Sequence, residues 1–283
     1  MICGSVKPTT SIFLQRLMAF HELVLIGDEA FRYCGQWAAQ FRQRMGRAFE
    51  GRIIFDVGCY DASFLARVAS KHPRIGFVGI DWKVRSLLAG AEEVTRRQLR
   101  NAVLIRGRGQ EVARIFTAGE VDEIWLFHPE PCDRLQELNN RLFAEPFLLD
   151  VHQVLRDGTS TLTLKTDHPG YHQWALGLCG QRQPTWFELA RAAREQKVPP
   201  QPDWPRVRAG DLVHPSQIPP ASSEIKSNFE VSALSHNYWN DPAAKAQMQN
   251  RCFADELTHF EHRYTRQRLP IYLLELRKRD DSR

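Results

Sequence analysis

Residues 52–81, RIIFDVGCYDASFLARVASKHPRIGFVGID, decide how the chain folds. The stretch opens with an apolar run, Ile53 to Phe55 and then Val57, short and β-branched enough for a buried strand. Asp56 and Gly58 break the run. Phe64, Leu65 and Val68 then recur at spacings that place them on one helical face. His72-Pro73 closes that helix, because a residue before proline is pushed out of helical angles. A second apolar run over residues 76–80 stops at Asp81. Strand, tight turn, helix and strand make a βαβ unit, which implies a parallel sheet with a ligand crevice at the carboxyl ends of its strands.

The residue ending the second strand is the functional clue. A carboxylate there, Asp81, can accept both hydroxyls of a ribose, although on this unit alone a solvated loop aspartate explains it equally well. Nucleoside-binding turns usually carry two or three glycines, which let the backbone approach the ligand. Here DVGCYDA keeps only Gly58, with Tyr60 and Ala62 where further glycines are expected. Tyr60 either lies over a cofactor or occludes it.

At 283 residues the chain is long enough to bury a sizeable core. Hydrophobic content of 43% and charged content of 25% suit a globular protein in water. No apolar run approaches the roughly 18 residues that a membrane span needs, so neither a span nor a signal peptide is read. The six cysteines are scattered without C-x-x-C pairs, which argues against zinc and for reduced thiols in a cytoplasm. A net charge of +5 and a pI near 9.0 permit an anionic partner without demanding one.

Residues 1–50 show helical spacings and suggest helices packed on the main sheet, or a cap over the crevice. After Asp81, residues 85–99 read as a helix, 103–105 as a third strand and 120–127 as a fourth, closed by His128-Pro129-Glu130-Pro131. The prolines force extended backbone at this tip, where functional groups sit in open α/β sheets. Residues 141–155 read as a helix and 159–165 as a fifth strand, stopping at Thr166-Asp167 with Tyr171 beyond. Residues 180–228 are crowded with proline and read as an inserted lid with one helical piece over 187–196. Strand-like FEVSAL follows from Phe229, and the chain closes with a helix and an alternating strand. The organisation is a helical extension (1–50), a core (51–179), a lid (180–228) and a completion of the sheet (229–283).

Three ordered motifs resemble the tRNA (guanine-N7)-methyltransferases, over roughly residues 50–176 and 229–278. They are Thr258-His259-Phe260-Glu261 followed by Pro270-Ile271-Tyr272, Thr166-Asp167 with Tyr171, and VDEIWLFHPEP in place of a strand ending in F-P-D-P-W. The resemblance implies a Rossmann-like class I fold with a mostly parallel seven-stranded sheet and S-adenosylmethionine (SAM) as cofactor. The cofactor residues it implies are Asp56, Gly58, Tyr60, Asp81, Trp82, Arg108, Gly109 and Glu130. The implied acceptor residues are Glu130, Asp167, Thr258 and Glu261, with no metal.

The departures from the family fall in the site. After P-D-P-W the family carries a dense basic run that grips tRNA; here the span reads CDRLQELNNRL, where only Arg134 and Arg141 are basic. Phosphate contacts supply much of the affinity for nucleic acid, so losing that run weakens RNA binding. The family's aspartate is Glu130, its tryptophan is Cys132, and Arg108 replaces an acidic residue near the adenine. This favours a repurposed methyltransferase acting on a nitrogen of a small, purine-like molecule, with the protein a monomer or homodimer. The competing readings are a true tRNA guanine-N7 methyltransferase, with Arg96, Arg97, Arg100, Arg263, Arg266 and Arg268 as a replacement RNA surface; an enzyme releasing methylthioadenosine from SAM; and a non-catalytic SAM binder.

Overall fold

The computed structural model describes residues 11–132, 135–181, 219–267 and 269–280. Asp133, Arg134, Arg268 and most of the proline-rich insertion, with its helical piece over 187–196, lie outside the described residues.

Eight strands form one sheet in the order β1-β4-β3-β2-β5-β6-β8-β7. The founding βαβ unit is β2 (Ile53–Val57), helix α3 (Ser63–Lys71) and β3 (Gly76–Asp81), paired in parallel from Ile53 opposite Gly76 to Val57 opposite Ile80. Every residue of β2 is buried, which is why the sequence shows an apolar run there and no alternation. β4 (Ala102–Arg106), β5 (Glu123–Phe127) and β6 (Thr161–Thr166) extend the parallel arrangement. β8 (Tyr272–Lys278) inserts antiparallel between β6 and β7 (Phe229–Ser235). The order reverses between β2 and β5, and that switch point is where an open α/β sheet places its ligand.

Seven of these strands give the sheet implied by the resemblance. The eighth, β1 (Val24–Ile26), comes from the segment whose spacing reads as helical throughout. It adds to the β4 edge in parallel, and the Leu104 N–H donates to the Leu23 carbonyl. A run of only three residues carries too little periodicity to outweigh its helical neighbours. Two further boundaries differ. The fourth strand begins at Glu123, because the Glu120 carboxylate turns away to accept the Gly35, Trp37 and Thr117 N–H groups. The helix expected over 141–155 is Glu145–Val154, preceded by a 3-10 turn at Leu135–Asn140.

Helices cover both faces. Trp37 and Phe41 of α2 (Trp37–Met45), Val112 and Ile115 of α5 (Val112–Ile115), and Phe147 and Leu148 of the helix Glu145–Val154 pack on one side with Phe55 and Val57. Leu65 and Val68 of α3 and Leu87 and Ala91 of α4 (Val84–Arg96) pack on the other with Ile54 and Trp125. Among the described residues no helix is long and apolar enough to cross a membrane.

Candidate active site

A cleft of about 870 Å³ opens over the carboxyl ends of the strands on both sides of the switch point. Its two ends are made of different material.

One end is built by the turn after β2 and the tips of β3 and β4. Gly58, Tyr60 and Ala62 all adopt the left-handed conformation, with φ of 81°, 52° and 48°. The turn thus keeps the backbone of a glycine-rich loop with side chains at two of its three special positions, each worth roughly 1–2 kcal/mol of strain. The Gly58 and Cys59 N–H groups donate to the Ile80 carbonyl at 2.8 and 3.0 Å and lock the turn onto β3. A Cβ at Gly58 would meet nothing within 4 Å, so its backbone faces open cleft. Asp81 sits beside it, accepting the Tyr60 N–H on one oxygen (3.0 Å) and the Lys83 N–H on the other (2.8 Å). Burial raises the Asp81 carboxyl, and these two N–H groups work against the rise. Trp82 stands on the rim, 61% exposed, with the Lys83 ammonium 5.6 Å from its ring centre. Arg108 is exposed on the same rim, and a side chain at Gly109 would collide with Val57 and Leu142.

Asp56 is placed differently from the expectation. It is 4% exposed and lies beneath the turn instead of lining the cleft. Burial, with Asp81 nearby, pushes its carboxyl up to about 7.

The other end is assembled from β5, β6 and the helix His259–Arg266. Glu130 is exposed in the cleft on the loop after β5, and Asp167 follows β6. Asp167 accepts a hydrogen bond from the Tyr264 hydroxyl and lies 3.3 Å from His128 Nδ1. An ionised carboxylate only accepts, so this pair is a hydrogen bond in the tautomer that carries a proton on His128 Nδ1. Burial, then Asp167, pushes the Tyr264 hydroxyl up to about 12. Tyr60, Phe260 and Tyr264 form a continuous aromatic wall, with ring centres 5.6 and 6.2 Å apart in succession. The Tyr60 ring belongs to this wall and leans on the helix His259–Arg266.

The loop carrying Glu130 is itself strained, since His128 and Cys132 have φ of 52° and 48°. Such backbone persists only where its surroundings over-determine it. Arg141 supplies one restraint: its Nε donates to the Pro131 carbonyl at 2.8 Å, while its guanidinium lies 5.3 and 5.0 Å from the ring centres of Tyr171 and Trp174. Arg141 is 3% exposed. The sequence counted it among the remaining basic residues of an RNA-binding run, whereas the fold uses it inside the protein.

Thr258 and Glu261 correct the expectation more strongly, because neither lines the cleft. Thr258 Oγ1 accepts the Glu261 N–H at 3.0 Å and Glu261 Oε2 accepts the Thr258 N–H at 2.7 Å, a reciprocal cap on the helix His259–Arg266. Glu261 Oε1 also accepts from Trp239 Nε1 (3.1 Å) and Lys165 Nζ (3.2 Å), and the Lys165 and Glu261 side chains are both 0% exposed. Burial opposes ionisation of Glu261, but Lys165 and the Thr258 N–H outweigh it and hold the carboxyl below its usual range. Burial pulls the Lys165 ammonium down, with Glu261 resisting. The rings of Phe127, Tyr238, Trp239 and Phe253 surround that ammonium at 4.7–5.2 Å. The T-x-F-E motif therefore acts here as an anchor for the aromatic wall.

Sequence reasoning missed Phe260, Tyr264 and His168 as cleft residues and Lys165 as their support. Phe260 and Tyr264 are four residues apart on a helix, and Lys165 is a lone cation in the buried strand TLTLKT; both signals were present.

The sequence model of a family described as "Putative methyltransferase" matches residues 50–204. Similar curated proteins include a tRNA (guanine-N(7)-)-methyltransferase of Christiangramia forsetii, 30% identical over 152 residues, covering 53% of this chain and 65% of that one. A tRNA (guanine-N(7)-)-methyltransferase of Limosilactobacillus reuteri is 28% identical over 160 residues, covering 56% and 71%. The chain thus spans just under two thirds of the first relative's length. Among solved structures, the 16S rRNA methyltransferase KamB has a TM-score of 0.48 at 15% identity, covering 86% of this chain and 93% of that one. Likeness at that level carries nothing about function.

Proposed function

The chain belongs to the methyltransferase family whose model it matches, and on that premise we propose that it transfers the methyl group of SAM to a nitrogen of a small acceptor. The observation that supports this most is the single cleft with Asp81 and an open left-handed turn at one end and Glu130 and Asp167 at the other. The residues fit the cofactor. Gly58 presents bare backbone, Asp81 keeps accepting capacity on both oxygens for a ribose, and Trp82 offers an apolar face beside it. SAM supplies an activated methyl group there.

Methyl transfer from a sulfonium is an in-line displacement, so the protein's task is alignment and exclusion of water. Glu130 and Asp167 accept N–H groups of the acceptor and orient its attacking nitrogen. Tyr264 and His128 fix the Asp167 carboxylate, and the wall of Tyr60 and Phe260 keeps water from the transfer path.

A second reading is a tRNA guanine-N7 methyltransferase, favoured by what the relatives are named and by the exposed Arg263 and Arg266. Incubation with SAM, with and without unmodified tRNA, followed by mass spectrometry, separates the two. Tight tRNA binding with a steep salt dependence and tRNA-borne 7-methylguanosine would establish the second reading and overturn the first. Failure to retain tRNA at low salt, with SAM bound, supports the small acceptor.

A further inference from the structure

Tyr60 stands at a turn position that glycine would hold without strain, since its backbone is left-handed, with φ of 52°. Among the described residues its ring joins neither hydrophobic core. It leaves the turn instead and reaches the helix His259–Arg266, with ring centres 5.6 Å from Phe260 and 5.9 Å from His259. Tyr264 continues the wall, its ring within 19° of the plane of Phe260. Tyr60, Phe260 and Tyr264 are half-buried and all three line the cleft. The backbone of Tyr60 reaches the other way, its N–H donating to the Asp81 carboxylate at 3.0 Å. One residue therefore joins the carboxylate assigned to the ribose and the aromatic wall.

In SAM a single methylene carbon separates the ribose ring from the sulfonium. A ribose held on Asp81 thus brings the positive sulfur beside the residue whose N–H reaches the same carboxylate. An aromatic face attracts such a cation through the ring quadrupole, and more strongly where water is displaced. We propose that Tyr60, backed by Phe260, reads the charge of the cofactor, so that the cleft prefers the sulfonium of SAM to the neutral thioether of S-adenosylhomocysteine. The inference rests on the SAM reading above. The attraction is greatest before transfer, while the charge is whole, so it serves selection of the charged cofactor and not the speed of the chemical step. Once the methyl group has gone to the acceptor, the electron pair of the S–CH3 bond stays on sulfur, which is then neutral, and the rings lose their hold.

Asp81, Glu130 and Asp167 line the same cleft and attract a cation without any ring, so the test must separate ring from carboxylate. Calorimetric titration with three ligands does so: SAM, S-adenosylhomocysteine, and sinefungin, an analogue whose protonated amine takes the place of the S–CH3 group. The unmodified protein is expected to bind the two cations about threefold to thirtyfold more tightly than the thioether. Tyr60→Leu and Phe260→Leu are each expected to cut that ratio about threefold or more, and Tyr60→Phe, which keeps the ring face, to preserve it. The carboxylates are the same in every variant, so a ratio that they alone produced would survive both leucine substitutions and overturn the inference. Equal affinities for the three ligands in the unmodified protein would overturn it too, as would a ratio lost as fully in Tyr60→Phe as in Tyr60→Leu. A general loosening of the site weakens all three ligands alike and leaves the ratio unmoved. Phe260→Leu, outside the strained turn, reads the same ratio where Tyr60→Leu does not fold. Any of these failures with S-adenosylhomocysteine still bound leaves the SAM reading standing, whereas no binding of SAM or S-adenosylhomocysteine to the unmodified protein would overturn that reading, and this inference with it.

Discussion

The proposed adenosine and acceptor ends of the cleft differ in how they are held. The first is local: residues 58–62 and 81–83 meet across adjacent strands, and their contacts are backbone hydrogen bonds. The second gathers Glu130, Asp167, Phe260 and Tyr264 from three separate parts of the chain, over a buried Lys165–Glu261 pair. A turn held by backbone hydrogen bonds keeps its left-handed conformation through side-chain change; hence Tyr60 and Ala62 can stand where glycines are expected. An assembled site depends on the packing beneath it.

The largest test of that difference is the buried pair. Lys165→Met leaves Glu261 without its cation and is expected to lower stability by about 3–5 kcal/mol in urea denaturation. Replacing both partners by methionine is expected to restore only part of that loss, because the Thr258 and Trp239 N–H groups then lose their acceptor. Equal losses in the single and double variants would remove the pair from the account of the acceptor end.

Beneath the adenosine end, Asp56 makes stability depend on pH. In the folded protein its carboxyl holds a proton up to about 7, against an ordinary 3.8 for an unburied aspartate. The folded state therefore binds more protons across that window, and stability from this group falls as pH rises through it, by at most about 1.4 kcal/mol per pH unit. Asp56→Asn is expected to flatten that slope in denaturation midpoints measured from pH 4 to pH 8.

Binding separates the two ends more directly. Asp81→Asn is expected to weaken S-adenosylhomocysteine roughly tenfold to a hundredfold by calorimetry, the loss of a charged acceptor. Asp167→Asn is expected to leave that affinity nearly unchanged; equal losses would erase the division into two ends. The smallest effect is expected at Ala62→Gly. Relief of roughly 1–2 kcal/mol of left-handed strain is offset by about 0.8 kcal/mol for the buried methyl and the added freedom of an unfolded glycine. The denaturation midpoint is expected to move little, and a large loss of stability would show that the side chain holds the turn.

Much of the architecture was legible in the sequence. Buried parallel strands announce themselves as short apolar runs, and Asp81 sits at the end of one, so β2, β3 and the carboxylate between their tips were readable within thirty residues. The edge strand Val24–Ile26 was not, since three residues among helical neighbours carry no period of their own. Thr258 and Glu261 show a different limit. Their three-residue spacing serves a helix cap as well as a ligand contact, and only the position of the helix over Lys165 decides which.

The sequence by itself determined the βαβ unit, its parallel pairing and the place of Asp81 at a strand tip, because strand runs, turns and their tips are set by neighbours along the chain. The tertiary structure alone decided where two of the basic side chains go. Whether Lys165 and Arg141 point into a cleft or into the core is fixed by aromatic rings distant in the sequence, Tyr238, Trp239 and Phe253 for one and Tyr171 and Trp174 for the other. A lysine or arginine reads identically in a sequence in either place, and burial beside a partner is what removes its charge from the site.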